Sequence, residues 1–180
     1  MEELLDILDE NGNLIDVKTR ADAHAKGLWH KSVHVWVINS KNEILLQKRS
    51  KNKKFFPSFW DCAFAGHVDS GESSLLTAVR EGSEELGLKI DEKKLKFLFT
   101  NKESISHDNI TNNEFVDIYV YEEDVDLDNL LLQQEEVEDV AWVSLPDFES
   151  LLNNSSSLLH HDVKEYIKLF EYLQSNYVFI

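Results

Sequence analysis

Three glutamates, Glu81, Glu84 and Glu85, stand at the i, i+3, i+4 spacing that brings side chains together on one face of a helix. On a helical wheel at about 100° per residue, Leu75, Leu76, Val79, Gly82, Ser83 and Leu86 fall on one side and are expected to face the core. The three carboxylates fall opposite. A solvated acidic face is the ordinary account of such a pattern. It is a poor account here, because Glu81 and Glu85 repel at i, i+4 and the one suitably spaced lysine, Lys89, lies beyond Gly87, where the helix is expected to end. A hard divalent ion such as Mg²⁺ takes oxygen ligands and binds a few carboxylates together with substrate phosphate oxygens. Metal binding therefore explains the cluster better. Arg80, on the flank beside Glu84, has a planar fork suited to holding a carboxylate in one rotamer.

A second group of residues suits anions. Lys48, Arg49, Lys51, Lys53 and Lys54 lead into Phe55-Phe56-Pro57 and form the clearest cationic patch of a chain whose formal charge is −16. Lys48, Arg49 and Lys54 are candidate phosphate guides. The overall charge repels nucleic-acid polymers and anionic membranes, so an anionic substrate needs a metal or this local cluster. Cys62 is the single cysteine, which excludes an intramolecular disulfide, and it reads as a small buried hydrophobe. Trp29, Trp36 and Trp60 offer faces for stacking a nucleobase, although burial is the commoner fate of tryptophan.

The 180 residues suffice for one domain with one sizeable core. Residues 3–17 read as an edge hairpin about Asn11-Gly12. Strands are expected at 33–38, 43–48, 95–100, 114–121 and 138–143, with Glu114 opening its strand after a polar loop, HDNITNN. Helices are expected at 73–86, in a short stretch after Pro146, and at the C-terminus over about 158–174. Mixed strands with helices on both sides imply an α/β sandwich with a mixed central sheet. The start MEELLDILDE resembles no secretory signal and no apolar run reaches spanning length, so a cytoplasmic location is expected, with no membrane partner. A homodimer is left open.

From Gly66 the sequence GHVDSGESSLLTAVREGSEELGL resembles the Nudix box, G-x5-E-x7-R-E-U-x-E-E-x-G-U, with U a bulky aliphatic residue. Gly66, Glu72, Arg80, Glu81, Glu84, Glu85, Gly87 and Leu88 match over residues 66–88, and Gly82 departs from the first U. The resemblance implies an α/β/α Nudix sandwich and a loop–helix–loop in which Glu81, Glu84 and Glu85, assisted by the Gly66 carbonyl, bind Mg²⁺ or Mn²⁺. It also implies hydrolysis of a diphosphate linkage in a small molecule, with nucleoside diphosphates and diphosphate-linked nucleosides or sugars as the leading class. The base is a box glutamate or an acid outside the box, with Glu114 as the outside candidate. Glu72 either favours the helix dipole or orients Arg80.

Beyond the box, the pattern GLWH, QKRS, FPSFWD and AGHVDSGES resembles the Nudix subgroup closest to type I isopentenyl-diphosphate isomerase. That enzyme is the alternative reading, and a non-catalytic ligand-binding Nudix module is a third. The isomerases carry a catalytic cysteine immediately before Gly-His, where this chain has Ala65. They also place a metal on histidines and glutamates, which directs attention to His24, His30, His67 and Glu114. His67 is in addition a candidate substrate-binding residue.

Overall fold

The computed structural model describes residues 2–107, 110–154, 158 and 161–176. Strands β1 (Leu4–Leu8) and β2 (Leu14–Thr19) form the expected antiparallel hairpin. Its turn is built differently from a two-residue type. Only Gly12 has a positive φ, of 84°, and the Asp9 carboxylate accepts from the backbone N–H groups of Asn11 and Asn13 at 2.8 and 2.9 Å. Helix α1 (Arg20–Lys26) follows, in a stretch where no helix was expected. Thr19 caps its start, and Gly27, with φ 58°, closes it.

Strand β3 (Trp29–Ile38) is the centre of the sheet, starting four residues before the expected Val33. Successive side chains of a strand point to opposite faces, and β3 obeys this with apolar residues both ways. Val33, Val35 and Val37 enter one core, and Trp36 and Ile38 the other. It pairs antiparallel with β4 (Glu43–Arg49) and β6 (Phe64–His67), and parallel with β8 (Ile110–Glu122) over Trp29–Ile38 against Asn113–Glu122. The sheet is completed by β5 (Trp60–Asp61) and β9 (Val137–Ser144) on β4, and by β7 (Leu95–His107) on β8. Strand β8 starts at Ile110, so Glu114 sits inside it rather than opening it: much of the polar run before it is hairpin strand, paired from Ile110 with His107 to Glu114 with Glu103.

Helix α2 (Ser74–Leu86) covers one face. Ser73 accepts from Leu76 N–H at 3.3 Å, and Gly87, with φ 67°, ends the helix by donating to the Ser83 carbonyl while Leu88 N–H reaches Gly82. The buried side differs from the expected one. It is made of Thr77, Ala78, Gly82, Glu85 and Leu86, whereas Leu76 is 52% exposed and Ser83 is also outside. The rotation carries Glu85 from the outer face into the protein. It also explains Gly82, because an added Cβ would lie 2.8 Å from Ile90 Cγ1 and 3.0 Å from Phe64 Cζ. An aliphatic side chain has no room there.

Helices α3 (Leu145–Asn154) and α4 (Val163–Asn176) cover the opposite face, with Phe148, Tyr166, Leu169 and Leu173 packed against Trp36, Ile44 and Ile118. The C-terminal helix thus starts at Val163 and not near residue 158: Leu158 bridges to Trp60, and His161-Asp162 precede the helix. The result is a mixed α/β sandwich with helices on both faces. No helix among the described residues is long and apolar enough to cross a membrane.

Candidate functional site: a carboxylate and histidine cavity

The inner end of α2, the β6 loop and the middle of β3 and β8 enclose a cavity of about 400 Å³, lined by Gly66, His67, Arg80, Glu81, Glu84, Glu85, Glu114, Arg49, Lys53 and His161, among others. Glu85 is 6% exposed and accepts from Gln47 Nε2 at 3.1 Å. Burial, reinforced by the charge of Glu81, pushes its carboxyl well above the ordinary range. Burial likewise pushes Glu81 up to about 7, against the pull of Arg80. Glu84 is exposed at the cavity rim.

The Glu81 carboxylate is tucked against Gly66 so tightly that a Cβ on residue 66 would fall 2.0 Å from Oε1. Only a glycine permits this approach. Arg80 organises the rest, donating from Nη1 to Glu81 at 2.7 Å and to Glu84 at 3.2 Å. From Nη2 it donates to Glu72 and to the His67 carbonyl, both at 3.2 Å. The carboxylates are thus not wholly unpaired, as their spacing suggested: the partner of Glu81 and Glu84 is Arg80 itself. Glu72 is engaged with Arg80 and with the Thr77 hydroxyl, which donates to it at 2.6 Å.

Next to Gly66 lies a knot of imidazoles. His24 Nε2 and His67 Nε2 share a hydrogen bond of 3.2 Å, and His24, His30 and His67 each offer a nitrogen within 4.8 Å of the others. Glu114 Oε1 is 3.5 Å from His67 Nε2 and 3.6 Å from His30 Nε2, and the latter atom is buried without a hydrogen-bond partner. Burial alone would raise Glu114. The neighbouring His30 and His67 overcome it and hold the carboxyl far below its usual range. Burial and the other two imidazoles hold His24 down at about 4, so it is neutral and can act as a ligand.

Of the basic run, Arg49 reaches the cavity, bonded to Asp61 at 3.2 Å and to the Phe55 carbonyl at 3.2 Å, and so does Lys53, paired with Glu136. Lys48 and Lys54 lie outside the lining. Lys48 pairs with Glu138 at 2.9 Å, and Lys54 lies over the Phe55 ring at 5.3 Å. None of Trp29, Trp36 and Trp60 lines the cavity. Trp36 is buried against Phe148 and Tyr166, and its indole donates to Glu165 at 2.8 Å.

Sequence reasoning passed over His34, Asp61, Glu103, His161 and Glu165, five buried polar residues that interlock beside the cavity. His34 alone carried a signal, as a polar residue among the alternating valines of β3. The ligand chemistry of the two acidic regions differs. The α2 carboxylates are oxygen donors, with Glu85 in no ion pair among the described residues, a set that fits Mg²⁺ or Mn²⁺. The His24, His30, His67 and Glu114 set is nitrogen-rich and has an orphaned ring nitrogen, which fits a transition metal.

Comparison with known proteins agrees with this geometry. The NUDIX domain profile matches residues 28–162. The chain is 35% identical to Nudix hydrolase 3 of Arabidopsis thaliana over 96% of its own length, while spanning 23% of that longer protein. It is also 35% identical to a Nudix hydrolase of Clostridium acetobutylicum, covering 85% of this chain and 75% of the other. An isopentenyl-diphosphate Delta-isomerase of Photorhabdus laumondii is 28% identical over 94% of this chain and 99% of its own. Among solved structures, that of DR0079 from Deinococcus radiodurans superposes with a TM-score of 0.71 at 21% identity, covering 93% of this chain and 98% of the other, and so shares its fold. The chain belongs to the NUDIX domain family, among the Nudix hydrolases that act on phosphorus-containing anhydrides.

Proposed function

We propose that the protein hydrolyses a diphosphate linkage in a small molecule, a nucleoside diphosphate or a diphosphate-linked nucleoside or sugar, with Mg²⁺ or Mn²⁺ held by Glu81, Glu84, Glu85 and the Gly66 carbonyl. The observation that carries this is the pair Glu81 and Glu85, one half-buried and one buried carboxylate lining one cavity and both pushed upward. A site that raises these carboxyl groups even against Arg80 and Lys53 is completed by a cation from outside. When bound, the metal neutralises phosphate oxygens and makes water a better nucleophile. The chain's own part is positional. Arg80 fixes the Glu81 and Glu84 rotamers, and Gly66 lets Glu81 lie flat against the backbone. Arg49 and Lys53 supply positive charge to the substrate phosphates from the cavity wall. Glu114, held low, is a poor proton acceptor, so the base is a box glutamate. Residues 1–180 serve as one domain.

The test is a screen of such compounds with Mg²⁺ or Mn²⁺, following release of phosphate and nucleoside monophosphate. Turnover is expected with the metal and none in chelator; full activity in chelator would sink the assignment.

One observation favours a second reading. His24, His30, His67 and Glu114 are brought together as the isomerase resemblance implies. Yet Ala65 lines the cavity at the position of the isomerase thiol, and Cys62 is fully buried and absent from the lining. A methyl group neither donates nor accepts a proton. Incubation with isopentenyl diphosphate and Mg²⁺ in deuterated water should give no isomer and no deuterium uptake. Isomerisation at about 1 s⁻¹, an ordinary enzymatic rate, would establish this second reading instead.

A further inference from the structure

At the wall of the cavity, on the far side of β3 from the valine core, His34, Cys62 and His161 each offer a ligand atom within 4.8 Å of the others, and all three are buried. Three features bear on what this group can bind. Both histidines have one ring nitrogen fixed by a carboxylate. His34 Nδ1 is 3.1 Å from both Glu165 oxygens, and His161 Nε2 is 2.7 Å from Asp61 Oδ1. Metal-bound imidazoles are held in the same way, with the second nitrogen on a carboxylate and the first left for the ion. His161 Nδ1 is buried with no hydrogen-bond partner, its nearest acid, Glu103 Oε1, standing 3.8 Å away. The Cys62 sulfur, with no exposure, is engaged by weak bonds alone, a 3.5 Å contact to the Phe64 carbonyl and a backbone bond with Val35.

We propose that His34, His161 and Cys62 form a second metal site, for a borderline-soft divalent cation of the Zn²⁺ type, separate from the α2 carboxylates. Two imidazoles and one thiolate suit such an ion and are poor ligands for Mg²⁺. The fourth position lies open to Glu103 or to the cavity, which His34 and His161 both line and through which the ion enters. Tetrahedral bonds of about 2.0–2.3 Å set ligand atoms roughly 3.5 Å apart, so donors within 4.8 Å of one another must draw together on binding. On binding, Cys62 loses its thiol proton and the imidazoles lose any proton they carry at the ligating nitrogen. These protons pass to solvent, and no oxidation state changes.

Cobalt provides a direct test, because Co²⁺ occupies Zn²⁺ sites and a thiolate ligand gives an intense near-ultraviolet charge-transfer band that oxygen and nitrogen ligands do not. Cys62 is the sole cysteine of the chain, so such a band has one possible source. The full chain, stripped with chelator and titrated with Co²⁺, should develop the band to an end point of one equivalent per chain. Zn²⁺ should bleach it, and a large excess of Mg²⁺ should not. Glu84→Gln should retain it, Cys62→Ser should lose it, and His161→Gln should weaken Co²⁺ binding at this band at least tenfold. Absence of the band in the wild-type chain at excess Co²⁺ overturns the proposal whether or not the Cys62 variant folds. A band that Mg²⁺ abolishes would overturn it too, by merging the site with the α2 carboxylates. A wild-type chain that shows the band but no turnover of any diphosphate with Mg²⁺ upholds this proposal while the hydrolase reading fails, and turnover with Mg²⁺ without the band does the reverse.

Discussion

Glu85 and Glu165 are both glutamates buried on helices that flank one sheet, 6% and 0% exposed, yet their surroundings drive them in opposite directions. Around Glu85 the neighbours are Glu81 and Gln47, and its carboxyl is pushed upward by burial and by like charge. Around Glu165, His34 and the Trp36 indole overcome the same burial and hold the carboxyl down. Burial is common to both, and what separates them is that Lys53 near Glu85 does not offset it whereas His34 and His161 beside Glu165 do. The difference teaches which carboxylate the metal-free protein balances with its own charges and which it leaves unbalanced.

The comparison breaks if one substitution has the same effect on both sides. In chelator, Glu165→Gln strands the His34 imidazolium in the interior, and removing one partner of a buried pair costs about 3–5 kcal/mol. A large fall in the thermal midpoint is expected, and an unchanged midpoint would show that the His34–Glu165 pair is not ionised. On the other helix, Glu84→Gln should leave the midpoint nearly unchanged, since its pair with Arg80 is exposed. Its effect belongs to turnover, which should fall at least about a hundredfold through loss of a metal contact. A variant at near wild-type kcat would remove Glu84 from the ligand set.

This division was half legible in the sequence. The α2 cluster is local: three glutamates at helical spacing and the capping glycine announce their geometry without the rest of the fold. The orientation of α2 was not, because the wheel weighed Leu76 and Ser83 as core and had no means of knowing that Ile90 and Phe64 close over Gly82. Glu85 was therefore placed with solvent-facing residues although the fold buries it. The second cluster spans His34 to Glu165 and depends on the parallel pairing of β3 with β8 and on α4 docking over Trp36. Contacts across such separations leave no period in the chain. Lys48 and Lys54 failed to reach the cavity for a related reason. The basic run starts on a strand, where alternate side chains leave by opposite faces, so Arg49 turns to Asp61 while Lys48 turns to Glu138.

A smaller effect sharpens the account of Glu81. Gly66→Ala places a methyl where the Glu81 carboxylate lies, and the flexible carboxylate end is what yields. Turnover should fall by roughly ten- to a hundredfold, as when a ligand is displaced by about 1 Å, while the fold survives. If kcat is retained with added Mn²⁺, Glu81 is not held by Gly66 for the metal.

The smallest effect carries the sign of the comparison. Burial and the charge of Glu81 raise the folded Glu85 carboxyl well above the ordinary carboxylate range, so the folded state holds this proton more tightly than the unfolded chain does. Below the unfolded value both states are protonated and nothing is lost. As pH rises through the gap the unfolded chain releases the proton first, and the metal-free protein loses stability until the folded carboxyl also ionises. Glu85→Gln removes that loss. In chelator the variant should match wild type near pH 4 and exceed it near pH 8. Saturating Mg²⁺ should reverse the order, because ligand binding to the folded state stabilises only the chain that retains the carboxylate. Denaturant titrations at the two pH values, with and without metal, read all four states. A Glu85→Gln variant less stable than wild type at pH 8 in chelator would mean that Glu85 has a positive partner of its own, and the contrast with Glu165 would disappear.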